Sequence, residues 1–122
     1  MARDRQRLTI GKSQDFPVGE MRLMELKGRQ IGVIRLRCGE LRAIMNRCPH
    51  KGAPICRGIL GGVWNWTRSG ELTFGRAREV LVCPWHGFEF DLASGQEVYW
   101  KRPARLRTYP IEDVDGVVLL EL

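Results

Sequence analysis

Histidine is scarce in this chain: 122 residues contain two, His50 and His86. A mononuclear iron held by two histidines and a carboxylate would use up both, so chemistry that needs them elsewhere excludes that centre. Long apolar runs are missing as well. The segment Met1 to Arg7 carries three arginines and leads into no such run, so neither a secretory leader nor a membrane helix is expected, and the expected location is the cytoplasm. Also lacking is any helical hydrophobic period of useful length, which leaves strands as the expected elements. At 122 residues the chain suits one domain and is too short for a cofactor-binding domain plus a catalytic one.

What surrounds the two histidines is informative. Of the cysteines Cys38, Cys48, Cys56 and Cys83, two lie in matching segments, Cys48-Pro49-His50-Lys51-Gly52 and Cys83-Pro84-Trp85-His86-Gly87. Each segment offers one sulfur and one imidazole, as C-x-H and C-x-x-H. Tetrahedral zinc accepts such a set, and a zinc-stabilised interaction module is one reading. Classical zinc motifs, however, pair cysteine with cysteine, whereas each pair here mixes donors with histidine second. Two thiolates on one iron and two imidazoles on the other is the division found in a Rieske [2Fe-2S] centre.

Beyond the ligands, the second segment continues Phe88-Glu89-Phe90-Asp91 and then Ser94-Gly95. Further matches are Asp15-Phe16-Pro17-Val18-Gly19-Glu20, Arg102-Pro103-Ala104-Arg105 and Tyr109-Pro110. On these residues the chain resembles the Rieske family, most of all the soluble ferredoxins and the Rieske domains of ring-hydroxylating oxygenases, from about residue 8 to the end. The resemblance implies one [2Fe-2S] cluster per chain, with Cys48 and Cys83 on one iron, His50 and His86 on the other, and no catalytic residue. It implies that Gly52 and Gly87 let backbone approach the cluster, that Pro49 and Pro84 stiffen the turns, and that the segment around Pro103 covers a third side. Rieske subunits of cytochrome bc-type complexes carry an extra cysteine in each loop. Ala53 and Trp85 lie near those places here, and Cys38 and Cys56 are expected to be free and buried rather than bridged. High-potential loops place serine and tyrosine where this chain has Phe88 and Phe90, which implies the lower part of the roughly −150 to +300 mV Rieske range.

The function so implied is one-electron transfer from a flavin-containing reductase to a terminal oxygenase or oxidase. An alternative is a permanent small Rieske subunit of a larger oxidoreductase, such as an NADH-dependent nitrite reductase. Catalysis by the chain alone is not expected, because both histidines are committed. The net charge is +6, with basic residues at Arg3, Arg5, Arg7 and Lys12 and at Lys101, Arg102, Arg105 and Arg107. Without aromatic interleaving or a groove-reading motif these do not point to nucleic acid, nor is a membrane partner expected. They are solvated surface or a docking face for an acidic redox partner. No oligomeric state follows from the sequence.

The fold class expected is all-β, a Rieske-like fold. Runs at Met21 to Leu26, Gln30 to Arg37, Glu40 to Met45, Glu79 to Val82, Tyr109 to Val114 and Val117 to Leu122 read as strands of an antiparallel meander. Asp115-Gly116 gives a two-residue hairpin signal and Cys38-Gly39 a turn. The resemblance implies a base from about 8–45 and 101–122, packed as one sheet system, and a cluster-binding subdomain over about 46–100. Between His50 and Cys83 stand 32 residues, longer than is usual in small Rieske proteins, with the surplus at about 63–77. There Val63 to Thr67 and Glu71 to Phe74 alternate around Arg68-Ser69-Gly70 like a protruding hairpin, with Trp64, Trp66 and Phe74 expected to pack rather than to dock.

Overall fold

The computed structural model describes residues 7–49, 52, 54–66, 72–84, 89–98 and 105–122, with backbone alone at 57, 59, 61–66 and 72–78. The strands are β1 (Arg7–Lys12), β2 (Arg22–Leu26), β3 (Arg29–Arg35), β4 (Leu41–Met45), β5 (Ile59–Trp66), β6 (Leu72–Val82), β7 (Glu89–Asp91), β8 (Thr108–Tyr109), β9 (Ile111–Val114) and β10 (Val117–Glu121). Short 3-10 turns occupy Ser13–Asp15 and Ile55–Arg57. The all-β expectation holds, and no helix among the described residues is long and apolar enough to cross a membrane. The chain divides into two compact units, Met1–Asn46 with Arg107–Leu122, and Arg47–Leu106.

In the first unit the strands form two sheets, of order β1-β10-β9 and β2-β3-β4-β8, rather than the single sheet system expected. The difference arises because β1 pairs antiparallel with β10, from Arg7 opposite Glu121 to Lys12 opposite Val117, which closes the first strand onto the last. A plain meander would not do this. β10 alternates, with Val118 and Leu120 buried and Val117 exposed, as a strand with one face in the core must. Those two residues share a hydrophobic cluster with Phe16, Ile31, Val33, Leu41, Ala43 and Tyr109. β3, by contrast, buries Ile31, Gly32, Val33 and Ile34 in succession, so both of its faces are covered.

The turn chemistry follows backbone sterics. Asp115 and Gly116 have φ of 50° and 84°, the two left-handed residues of a type I′ turn, and Val114 pairs with Val117 across it. The expected strand over Tyr109 to Val114 is broken at Pro110 into β8 and β9, which belong to different sheets, as the lost amide of proline favours.

Arg35 ties the segments of this unit together. Its Nε donates to the Phe16 carbonyl at 2.8 Å, Nη1 to the Gly39 carbonyl at 2.7 Å and Nη2 to Ser13 Oγ at 2.9 Å, and Nη2 also lies 3.5 Å from Asp113 Oδ2. The Ser13 hydroxyl, chief among the causes, joins the Gly116 amide and Arg35 in holding Asp113 below the usual carboxylate range, against an opposing push from burial. A carboxyl whose folded-state pKa is depressed stabilises the fold above its unfolded value and loses that contribution as pH falls through the folded value. Asp113→Asn is therefore expected to be less stable than the parent at pH 7, with the gap closing below about pH 4. Urea unfolding of both proteins across that range measures it, and a gap independent of pH would show that Asp113 acts through packing alone.

Tyr109 illustrates the opposite case. Its hydroxyl is buried and has no hydrogen-bond partner among the described residues, while Arg107 stacks over its ring with the guanidinium carbon 5.7 Å from the centroid. The ring packs, and with no partner among the described residues the oxygen bears a desolvation cost. Tyr109→Phe is expected to match or exceed the parent in stability, by up to about 1 kcal/mol. A loss of more than that in denaturant titration would reveal a partner for the hydroxyl.

The second unit is built on a sheet of order β5-β6-β7, with β6 in the middle. The hairpin expected at 63–77 is present as pairing of Val63 with Gly75, Trp64 with Phe74 and Trp66 with Leu72. It is the distal part of a longer hairpin: β6 runs unbroken for 11 residues, joining the two runs that the sequence separates around Gly75-Arg76-Ala77-Arg78. The register shifts between Gly61 and Val63, so one continuous strand absorbs the irregularity. Residues 67–71 and the side chains of Trp64, Trp66 and Phe74 lie outside what is described.

Candidate metal centre

Both cysteines of the two motifs belong to the second unit, and each follows a strand. Cys83 immediately follows Val82, the last residue of β6. Val82 pairs with Ile59 on one side and Glu89 on the other, so Cys83 begins the six-residue connection to β7 from a strand fixed on both edges. Cys48 lies three residues after β4, where the Gly52 amide donates to the Cys48 carbonyl at 2.9 Å. Gly52 has φ of 77°, a left-handed conformation that costs a side-chain-bearing residue about 1 kcal/mol or more. His50 and His86 themselves lie outside the described residues, as do Gly87, Phe88 and the Pro103 segment.

The Cys48 and Cys83 side chains are 1% and 2% exposed, and all four cysteines are thiols rather than disulfides. Two buried sulfurs at the starts of two turns, each turn with an imidazole donor in its sequence, fit a cluster that takes two thiolates and two imidazoles. Cys56 is buried at 8% exposure, as expected of a spare cysteine. Cys38 is exposed, against the expectation of burial, because it sits in the tight turn between β3 and β4, closed by Leu36 and Glu40 at 2.7 Å. Phe90 is fully buried on β7 opposite Leu81, a packing residue with no hydroxyl to offer sulfur.

Sequence reasoning missed two residues of this unit. At Gly58 an added Cβ would lie 1.8 Å from the Val82 carbonyl oxygen, so only glycine lets the Ile55–Arg57 turn rest against the backbone leading into Cys83. The only available signal was a glycine ahead of a strand, which marks a great many turns. Glu97 is a buried carboxylate, 2% exposed, bridged antiparallel to Phe90. Nothing in its flanking sequence marks it as internal.

The family model of the Rieske [2Fe-2S] domain matches residues 6–110. The chain belongs to the Rieske [2Fe-2S] family. Domains of this family hold one [2Fe-2S] cluster and serve electron transfer. Apoptosis-inducing factor 3 of Mus musculus is 32% identical over 87 residues, which is 71% of this chain and 12% of that protein. The chain spans between 11% and 33% of the length of three such curated relatives. A relative of matching size is the ferredoxin component of the naphthalene 1,2-dioxygenase/salicylate 5-hydroxylase systems of Ralstonia sp, 26% identical over 108 residues and 88% of each chain. Among solved structures, a chain assigned as the NADH-dependent nitrite reductase small subunit of Mycobacterium tuberculosis superposes with a TM-score of 0.70 at 22% identity, covering 98% of this chain and 97% of the other. That likeness establishes the fold.

Proposed function

We propose that this Rieske chain is a one-electron carrier of the cytoplasm that receives electrons from a flavin-containing reductase and delivers them to a terminal oxygenase or oxidase. Cys48 and Cys83 bind one iron and His50 and His86 the other. The observation that carries the reading is the pair of buried thiols, one at the end of a central strand, in a chain whose only two histidines complete the donor set. The match to a ferredoxin component over 88% of each chain supports a carrier over a catalyst. When bound, the cluster accepts and returns one electron. The protein's part is to hold the thiolates dry just beyond strand ends and to keep imidazole rather than thiolate on the second iron, which leaves less negative charge and eases reduction.

Iron and sulfide analysis tests this directly. Purified protein is expected to be red-brown with two irons and two sulfides per chain, and to be reduced by a flavin reductase in one-electron steps. Zinc without sulfide would support the interaction-module reading instead. The nitrite reductase likeness, nearly complete in both chains, favours one second reading, a permanent small subunit. Size-exclusion chromatography of a native extract separates the two, since a carrier elutes alone and a subunit with its enzyme.

A further inference from the structure

The two donor segments differ in the charge around them. Between Glu40 and Glu71 the chain carries five cations, Arg42, Arg47, Lys51, Arg57 and Arg68, and no carboxylate, and the first donor segment lies inside that stretch. The second is bracketed by Glu79, Glu89 and Asp91. Of the five, Arg42 is paired with Glu40, its Nη2 2.7 Å from Oε2. A cation that is exposed, held in place and without a carboxylate of its own attracts one from another molecule.

Arg47 meets these conditions. Arg47 and Pro49 are exposed on either side of the buried Cys48, and together they form the outer surface of the chain at that thiol. The Arg47 side chain reaches along the turn that the Gly52 amide closes on the Cys48 carbonyl, with Nε and Nη2 3.4 and 3.7 Å from where a Cβ on Gly52 would stand. That contact places the guanidinium without neutralising it. Arg47 has no hydrogen bond or ion pair among the described residues. A guanidinium offers its N–H donors as a planar fork, which takes both oxygens of a carboxylate at once. Because the next residue is a proposed ligand, a carboxylate that pairs with Arg47 is brought to the segment that holds the cluster.

We propose that the surface formed by Arg47 and Pro49 docks the redox partner, Arg47 pairing with a carboxylate in an acidic patch of that protein. The inference rests on the carrier reading above and adds the chemistry of its partner. A charge at the rim of an interface acts mainly on encounter, so the effect falls on the second-order rate and is screened by salt. Loss of one exposed ion pair changes that rate by up to about fivefold at low ionic strength, and reversal of the charge changes it by more.

The test is stopped-flow oxidation of the reduced, cluster-loaded protein by two haem proteins of opposite surface charge, the acidic cytochrome b5 and the basic cytochrome c. It compares the parent with Arg47→Gln, Arg47→Glu and Arg47→Lys at low and high salt. At low salt Arg47→Gln is expected to slow transfer to cytochrome b5 by up to about fivefold and to speed transfer to cytochrome c, and Arg47→Glu to do both more strongly. Arg47→Lys keeps the charge and should stay nearer the parent than Arg47→Gln. In high salt the differences should vanish. Opposite signs are the decisive readout, since a loosened turn or a changed driving force moves both rates the same way. Rates that move together, rates that do not move, or a difference that survives high salt would each overturn the proposal. So would loss of iron from both Arg47→Gln and Arg47→Glu, which would make the side chain a support of the turn. A parent without iron and sulfide would instead defeat the carrier reading, so the two failures are distinguishable.

Discussion

Changing Cys48 or Cys83 to Ser, or His50 or His86 to Ala, is expected to yield protein purified without its red-brown colour and with iron and sulfide near zero. The effect is large because each donor is one of only four. A cluster iron needs thiolate or neutral imidazole in place, and alanine offers no lone pair. Serine is a poorer case than its size suggests. At Cys48 and Cys83 the side chain is almost wholly buried, so a hydroxyl there would be left in an apolar environment at a cost of about 1–3 kcal/mol unless it finds a partner. Cys38→Ser is the control. Its side chain sits exposed in the β3–β4 turn, and iron content and visible absorbance should not move. Full iron content in His50→Ala or His86→Ala would remove that residue from the ligand set.

What could be read in the sequence followed from how local its cause is. The candidate donor motifs are contiguous, so Cys48 and Cys83 stand out before any strand is placed. Asp115-Gly116 was legible because both residue types tolerate positive φ. Lys27-Gly28 makes the same turn, with φ of 49° and 77° between Leu26 and Arg29, but lysine is an uncommon left-handed residue and gives no warning. β1 escaped notice because Arg7-Leu8-Thr9-Ile10-Gly11-Lys12 interrupts its alternation with glycine. Its pairing with β10 spans nearly the whole chain and carries a register shift between Thr9 and Gly11. Long-range pairing of this kind is decided by the partner strand and not by the segment itself. Of the two residues missed, Gly58 shares that property, since what makes it special lies on Val82, far along the chain.

Gly58→Ala is expected to do nearly as much damage as the loss of a ligand. Its backbone, with φ −74° and ψ −178°, is one any residue adopts, so the requirement for glycine is one of space. A methyl group there would meet the Val82 carbonyl oxygen at 1.8 Å, the Val82 carbonyl carbon at 2.9 Å and the Ile55 carbonyl oxygen at 3.0 Å. All three are backbone atoms, so no side chain can swing aside. β6 is held from both edges through the Ile59–Val82 and Val82–Glu89 pairs, and relieving the clash means prising the Ile55–Arg57 turn off the strand end that carries Cys83. Overpacking against fixed atoms costs typically about 1–3 kcal/mol and occasionally more, and the displacement falls on the residue adjacent to a proposed ligand. The variant should therefore lose most of its cluster on purification and show a lowered melting temperature. Gly28→Ala separates this cause from backbone strain. Gly28 has positive φ but nothing within 4 Å of the added methyl, so it should cost only about 1–2 kcal/mol and leave iron content unchanged. If Gly58→Ala retained two irons per chain and melted with Gly28→Ala, the close approach of the turn to Val82 would not be what holds Cys83 in place.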